Sequence, residues 1–99
     1  MAVTKANVIT LLASGANWTT GAGARKANGK PCAPCHPLAV KWDLEGALMK
    51  LCRADTPGNY TTYHALLANI ESNIPGHQKD IGRWNDGQVW NAILGILNA

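Results

Sequence analysis

Ninety-nine residues, 46% of them apolar, suffice for one globular domain that buries about 60–65% of its unfolded surface, so neither a metal nor a disulfide is obligatory for folding. Apolar runs of only a few residues exclude a membrane span, and three cysteines, an odd number, argue against a secreted disulfide scaffold. Nine Lys and Arg against six Asp and Glu give a net charge of +3, and Arg25, Lys26 and Lys30 supply that excess within six residues, leaving the rest balanced at six against six.

The N-terminus carries one lysine and a short apolar run broken by Asn7 and Thr10, a pattern for an amphipathic helix rather than a signal peptide, and a cytoplasmic location is expected. Thr4 reads as its N-cap, with Val3 and Val8 at the staple positions. Val8, Leu11 and Leu12 share a face, and Gly15 offers the stop after about Ser14. No helical pattern follows from Gly15 to Cys35. Asn28-Gly29 is the type I′ hairpin signal, so residues 24–31 read as a short, exposed β-hairpin arm.

The longest helical periodicity lies between His36 and Arg53, where Val40, Leu44, Ala47, Leu48, Leu51 and Cys52 recur at three- and four-residue steps. Pro37 suits a first turn, and Lys50 and Arg53 complement the dipole at the far end. Gly46 inside this helix predicts a bulky neighbour, such as a tryptophan, crossing close to the backbone. Asp55-Thr56-Pro57-Gly58 is a turn. A third helix is predicted from Thr61 to Asn73, with Tyr63, Leu66, Leu67, Ile70 and Ile74 facing inward, and Pro75-Gly76 ends it. Residues 77–83 form a polar connection anchored by Ile81. Asn85 and Gln88 have capping-box spacing for a last helix that buries Val89, Trp90, Ile93, Leu94 and Leu97, with Trp84 and Val89 as its staple. The predicted fold is mainly α: a compact four-helix domain spanning residues 1–99, with a short β-hairpin inserted after the first helix. Phenylalanine is absent, so Trp18, Trp84 and Trp90 are expected in the core, while Trp42 and Met49 leave a spare apolar face.

Trp18-Thr19-Thr20-Gly21-Ala22, then Ala39-Val40-Lys41-Trp42 leading into Gly46-Ala47-Leu48, and finally Trp84-Asn85-Asp86 are spread over most of the chain. In this order they resemble an uncharacterised family of small bacterial and phage proteins with W-T-x-G-A, A-V-x-W-x-x-x-G-A-L and W-N-D motifs. Asp43 stands where that family commonly has a cysteine, and the Gly-Arg-Thr loop that commonly follows W-N-D is missing. The resemblance implies no activity.

Cys32-Ala33-Pro34-Cys35-His36 matches the C-x-x-C-H attachment pattern of a c-type haem, with Met49 as a distal ligand, but without the export signal that attachment requires. A zinc site would need Cys32, Cys35 and Cys52 with His36, and Cys52 falls instead on the apolar stripe. The stretch therefore reads as a loop with two thiols before a helix. Cys35 beside His36 lacks the other parts of a nucleophilic site, and neither His64 nor His77 has a motif around it. Residues 21–26 lack the strand and the G-K-[ST] ending of a phosphate loop, and no recognition helix is visible. The expectation is a protein with no enzymatic activity and no cofactor, a protein-binding module of the kind a phage or mobile element encodes as an inhibitor or accessory factor. Arg25, Lys26, Lys30 and Trp42 are its candidate binding residues, and an acidic protein surface is its expected partner. A zinc-binding protein and a weak nucleic-acid binder through the hairpin are the alternatives, and no membrane contact is expected.

Overall fold

A computed structural model of the chain describes residues 4–53, 60–74 and 81–98. Helix α1 (Lys5–Leu11) starts in a reciprocal cap: the Asn7 backbone N–H donates to Thr4 Oγ1 at 3.3 Å, and the Thr4 backbone N–H donates to Asn7 Oδ1 at 2.8 Å. It buries Val8, and Leu12 just beyond it, then tightens into a 3₁₀ turn (Ala13–Gly15). Val3 of the predicted staple, the turn at 55–58, Pro75-Gly76 and residues 77–80 lie outside the described residues.

The hairpin is one part of a three-stranded antiparallel sheet ordered β2-β1-β3, from β1 (Ala24–Lys26), β2 (Pro31–Cys32) and β3 (Ala39–Trp42). Ala24 pairs with Cys32 on one side and Trp42 on the other. The turn between β1 and β2 is not the expected type I′ pair: Gly29 alone has positive φ, at +85°, while its N–H bonds the Lys26 carbonyl at 2.9 Å and the Lys26 N–H bonds the Lys30 carbonyl at 2.9 Å. Ala27, Asn28 and Gly29 thus form a three-residue loop, with glycine taking the left-handed position.

The predicted central helix divides. Residues 39–42 form β3, and helix α2 (Leu44–Cys52) begins only after Asp43, whose side chain accepts from the Gly46 N–H. The reason is non-local pairing. Trp42 donates its backbone N–H to Asn17 O at 2.8 Å and accepts from Thr19 N at 3.0 Å, while β1 pairs along the strand's other edge. Val40 and Trp42, two residues apart, are strand formers, a short signal beside a longer helical stripe. Pro37 lies in the turn before β3, and Val40 is exposed rather than on the buried stripe. Arg53, in the left-handed conformation, closes α2.

Helix α3 (Tyr60–Ser72) lies within a residue of its predicted span and buries Tyr63, Ile70 and, just past its end, Ile74. The last helix starts four residues later than a cap at Asn85 predicts, leaving Val89 69% exposed, and the segment expected to be a polar connection contributes a helix of its own. Helix α4 (Ile81–Asp86) ends at the Gly87 turn, and helix α5 (Trp90–Leu97) starts after Val89, which supplies no side-chain cap. Among the described residues there are therefore five α-helices and a three-stranded sheet, which overturns the four-helix domain with a simple hairpin. The fully buried side chains of Val8, Leu12, Leu44, Leu48, Ile70 and Ile93 join α1, α2, α3 and α5 in one cluster, and the sheet closes it through Ala24 and Trp42.

Candidate functional site

The three tryptophan motifs meet at Asn85, a fully buried residue of α4. Its Oδ1 accepts from Trp18 Nε1 at 2.7 Å and from the Leu44 backbone N–H at 3.1 Å, and its Nδ2 donates to Thr19 O at 3.2 Å. The next residue, Asp86, accepts from the Gly21 N–H at 2.8 Å. Gly46 completes the junction: a Cβ there would run into the Gly23 carbonyl, so the close neighbour that its presence in a helix implies is backbone of the β1 approach, not a tryptophan ring. Asn85 does not cap the last helix because its amide is committed to these three partners.

Asp43 stands beside this junction and is 5% exposed. Burial pushes its carboxyl from 3.8 up to about 7, the Gly46 N–H pulls against that, and the charges of Glu45 and Asp86 add to the rise. A carboxyl that titrates near neutrality has the property an acid–base site requires. Here it is enclosed and occupied in capping α2.

The predicted binding residues separate. Trp42 is only 6% exposed, and its Nε1 donates to Pro34 O at 2.9 Å, so it belongs to the core rather than to a surface. Arg25 does not project from the arm. Its Nε donates to Thr19 Oγ1 at 3.1 Å, Nη2 to Thr20 O at 3.0 Å and Nη1 to Gly29 O at 2.9 Å, so the guanidinium clips the hairpin to the loop before β1. Lys26 is half-buried and Lys30 exposed. Lys41, exposed and paired in register with Arg25, adds a cation outside residues 25–30. The first 42 residues hold five Lys and Arg and no Asp or Glu, whereas the remainder holds four against six. The sheet therefore carries cations alone, and the first carboxylate after it, Asp43, is buried.

Between the hairpin tip and the approach to β3 lies an open groove of about 410 Å³, lined by Lys26, Ala27, Asn28, Pro37, Leu38 and Val40. Leu38 is 60% and Val40 41% exposed. A second groove, of about 550 Å³, runs between the start of α1 and α3 past Thr4, Thr61, Thr62 and Asn69. In the sequence Val40 falls on the helical stripe and Leu38 has no periodic signal, so neither points to this groove.

Cys32 and Cys35 are half-buried, Cys52 is buried with its thiol pushed up by desolvation, and none forms a disulfide. Cys35 Sγ donates to Met49 O at 3.4 Å, while His36 Nδ1 accepts from the Leu38 N–H at 3.0 Å. Among the described residues no three His, Cys, Asp or Glu side chains gather as a metal site requires, so Cys32, Cys35, Cys52 and His36 are not brought together as a ligand set. The His64 ring lies beside the Tyr63 ring at 5.1 Å, and His77 is outside the described residues. No helix among the described residues is long and apolar enough to cross a membrane.

Compared with protein-family profiles, curated proteins and solved structures, the chain gives no match.

Proposed function

We propose that this protein is a non-enzymatic binding module that docks on an acidic protein surface through its sheet. The observation that carries this reading is the segregation of charge: Lys26 and Lys41 on the sheet and Lys30 in its hairpin connection have no carboxylate among them in the sequence, and Leu38 and Val40 are exposed beside Lys26 and Lys41. Cations around an apolar patch steer an acidic partner and fix its orientation, while the apolar area supplies affinity. A protein partner fits better than nucleic acid. The guanidinium of Arg25 is already consumed, and among the described residues no aromatic ring lines the groove on which a base would stack.

Selection of a displayed random-peptide library against the purified protein tests the proposal. Enriched sequences should be net acidic, weaken with added salt and lose binding to a Lys26→Glu, Lys30→Glu, Lys41→Glu variant. Enrichment without acidic bias, or full binding by that variant at low and physiological salt, would remove the sheet from the mechanism.

A further inference from the structure

Val40 is the extra residue of a β-bulge, and this decides what the groove can hold. Arg25 pairs with Lys41 and Lys26 with Ala39, so Val40 has no opposite number. A bulge re-aims a side chain, and Val40 is 41% exposed where the buried Trp42, two residues on, is 6% exposed. Leu38 and Pro37 continue the apolar surface, and the hairpin loop with Lys26 forms the opposite wall. The same bulge spoils this edge as a template for an added strand, and Asn17 and Thr19 already occupy the backbone of Trp42. On the other edge, β2 opens with Pro31, which has no N–H to offer. Both edges are thus closed to backbone pairing while an apolar groove with a lysine wall stays open.

Resting on the docking proposal above, we infer that the groove between the hairpin loop and residues 37–40 receives a bulky aliphatic side chain from an acidic segment of the partner, whose flanking carboxylates meet Lys26 and Lys30. The partner is read through side chains, without strand addition. Aliphatic burial over Leu38 and Val40 sets affinity, and the lysines set orientation and rate.

The test uses two short peptides of Asp and Glu, one with a central Leu-Leu pair and one with Ala-Ala in its place, titrated into isotopically labelled protein. The leucine peptide should bind at least about tenfold more tightly than the alanine peptide, the discrimination an apolar pocket gives between side chains of different size. Its amide shifts should centre on residues 26–28 and 37–41. A Leu38→Ser, Val40→Thr double variant, at exposed positions and checked for folding by circular dichroism, should erase the difference while still binding both peptides weakly. Equal binding of the two peptides, or a preference that survives the double variant, overturns the groove assignment and leaves charge-driven docking standing. A leucine preference indifferent to salt and to the lysine-to-glutamate variant overturns the charge reading instead. Tighter binding of a single-stranded oligonucleotide than of either peptide, or binding of neither peptide, overturns both.

Discussion

Replacing Asn85 by Ala tests the junction on which the three motifs converge. The substitution orphans the Trp18 indole N–H, the Leu44 backbone N–H and the Thr19 carbonyl, and Asn85 itself is fully buried. Each buried group left without a partner costs about 1–3 kcal/mol, so three give a floor of about 3 kcal/mol. The better helix propensity of Ala in α4 returns about 0.5 kcal/mol, and water entering the vacated space limits the upper end. A net loss of about 2.5–4 kcal/mol is expected, a large fraction of the roughly 5–15 kcal/mol that a domain of this size has. Urea unfolding followed by tryptophan fluorescence measures it as a fall in midpoint at constant slope. The Trp18 indole proton supplies a second reading, since its exchange should accelerate once its 2.7 Å acceptor is gone. Asn85→Asp serves as the control that keeps the acceptor. It should hold the indole bond but lose the Thr19 contact and add charge where Asp86 already opposes Asp43, so its stability should recover on acidification. A loss below about 1 kcal/mol for Asn85→Ala with unchanged indole exchange would refute the assignment of Asn85 as the junction.

Asp43 makes stability depend on pH with a definite sign. Its carboxyl titrates at 3.8 when unfolded and about 7 when folded, so the unfolded chain releases the proton first and wild-type stability falls between those values by about 1.4 kcal/mol per unit. An asparagine at this position would still cap α2 but could not ionise, so Asp43→Asn should match wild type near pH ~4 and exceed it at pH ~8; parallel stability curves across that range would refute this. Gly46→Ala should destabilise by at least about 2 kcal/mol in urea despite the gain of about 1 kcal/mol from helix propensity, because its Cβ meets the Gly23 carbonyl and backbone must move. Wild-type stability in that variant would mean that α2 and the loop before β1 do not touch. Arg25→Glu should lower the melting temperature through three lost hydrogen bonds, whereas Lys30→Glu, on an exposed side chain, should change stability by less than about 0.5 kcal/mol. Equal melting temperatures for the two variants would contradict the clip.

Local chemistry made several elements legible. The Thr4 cap, the core of α3 and the apolar stripe from Leu44 to Cys52 depend on residues three or four apart, which interact whatever the rest of the chain does. The position of the hairpin was equally local, set by a short glycine-bearing turn between Lys26 and Lys30. Two of the misassignments depend on distant partners. Ala39–Trp42 is short enough to join either a helix stripe or a strand, and only β1 and the Asn17–Thr19 backbone, more than ten residues upstream, settle it as strand. Asn85 has capping-box spacing with Gln88, yet three acceptors and donors brought in from 41 to 67 residues away outcompete a local cap. The candidate site follows the same division. The excess of positive charge on the hairpin could be counted from the sequence, but which cations face solvent could not: Arg25 turns inward because folding places the Thr19 hydroxyl, the Thr20 carbonyl and the Gly29 carbonyl within its reach, while Lys41 and Val40 turn outward on a strand whose existence is itself a tertiary outcome. Periodicity reports which side chains can share a face; only the packed chain decides what that face meets, because burial and hydrogen bonding are properties of pairs far apart in sequence.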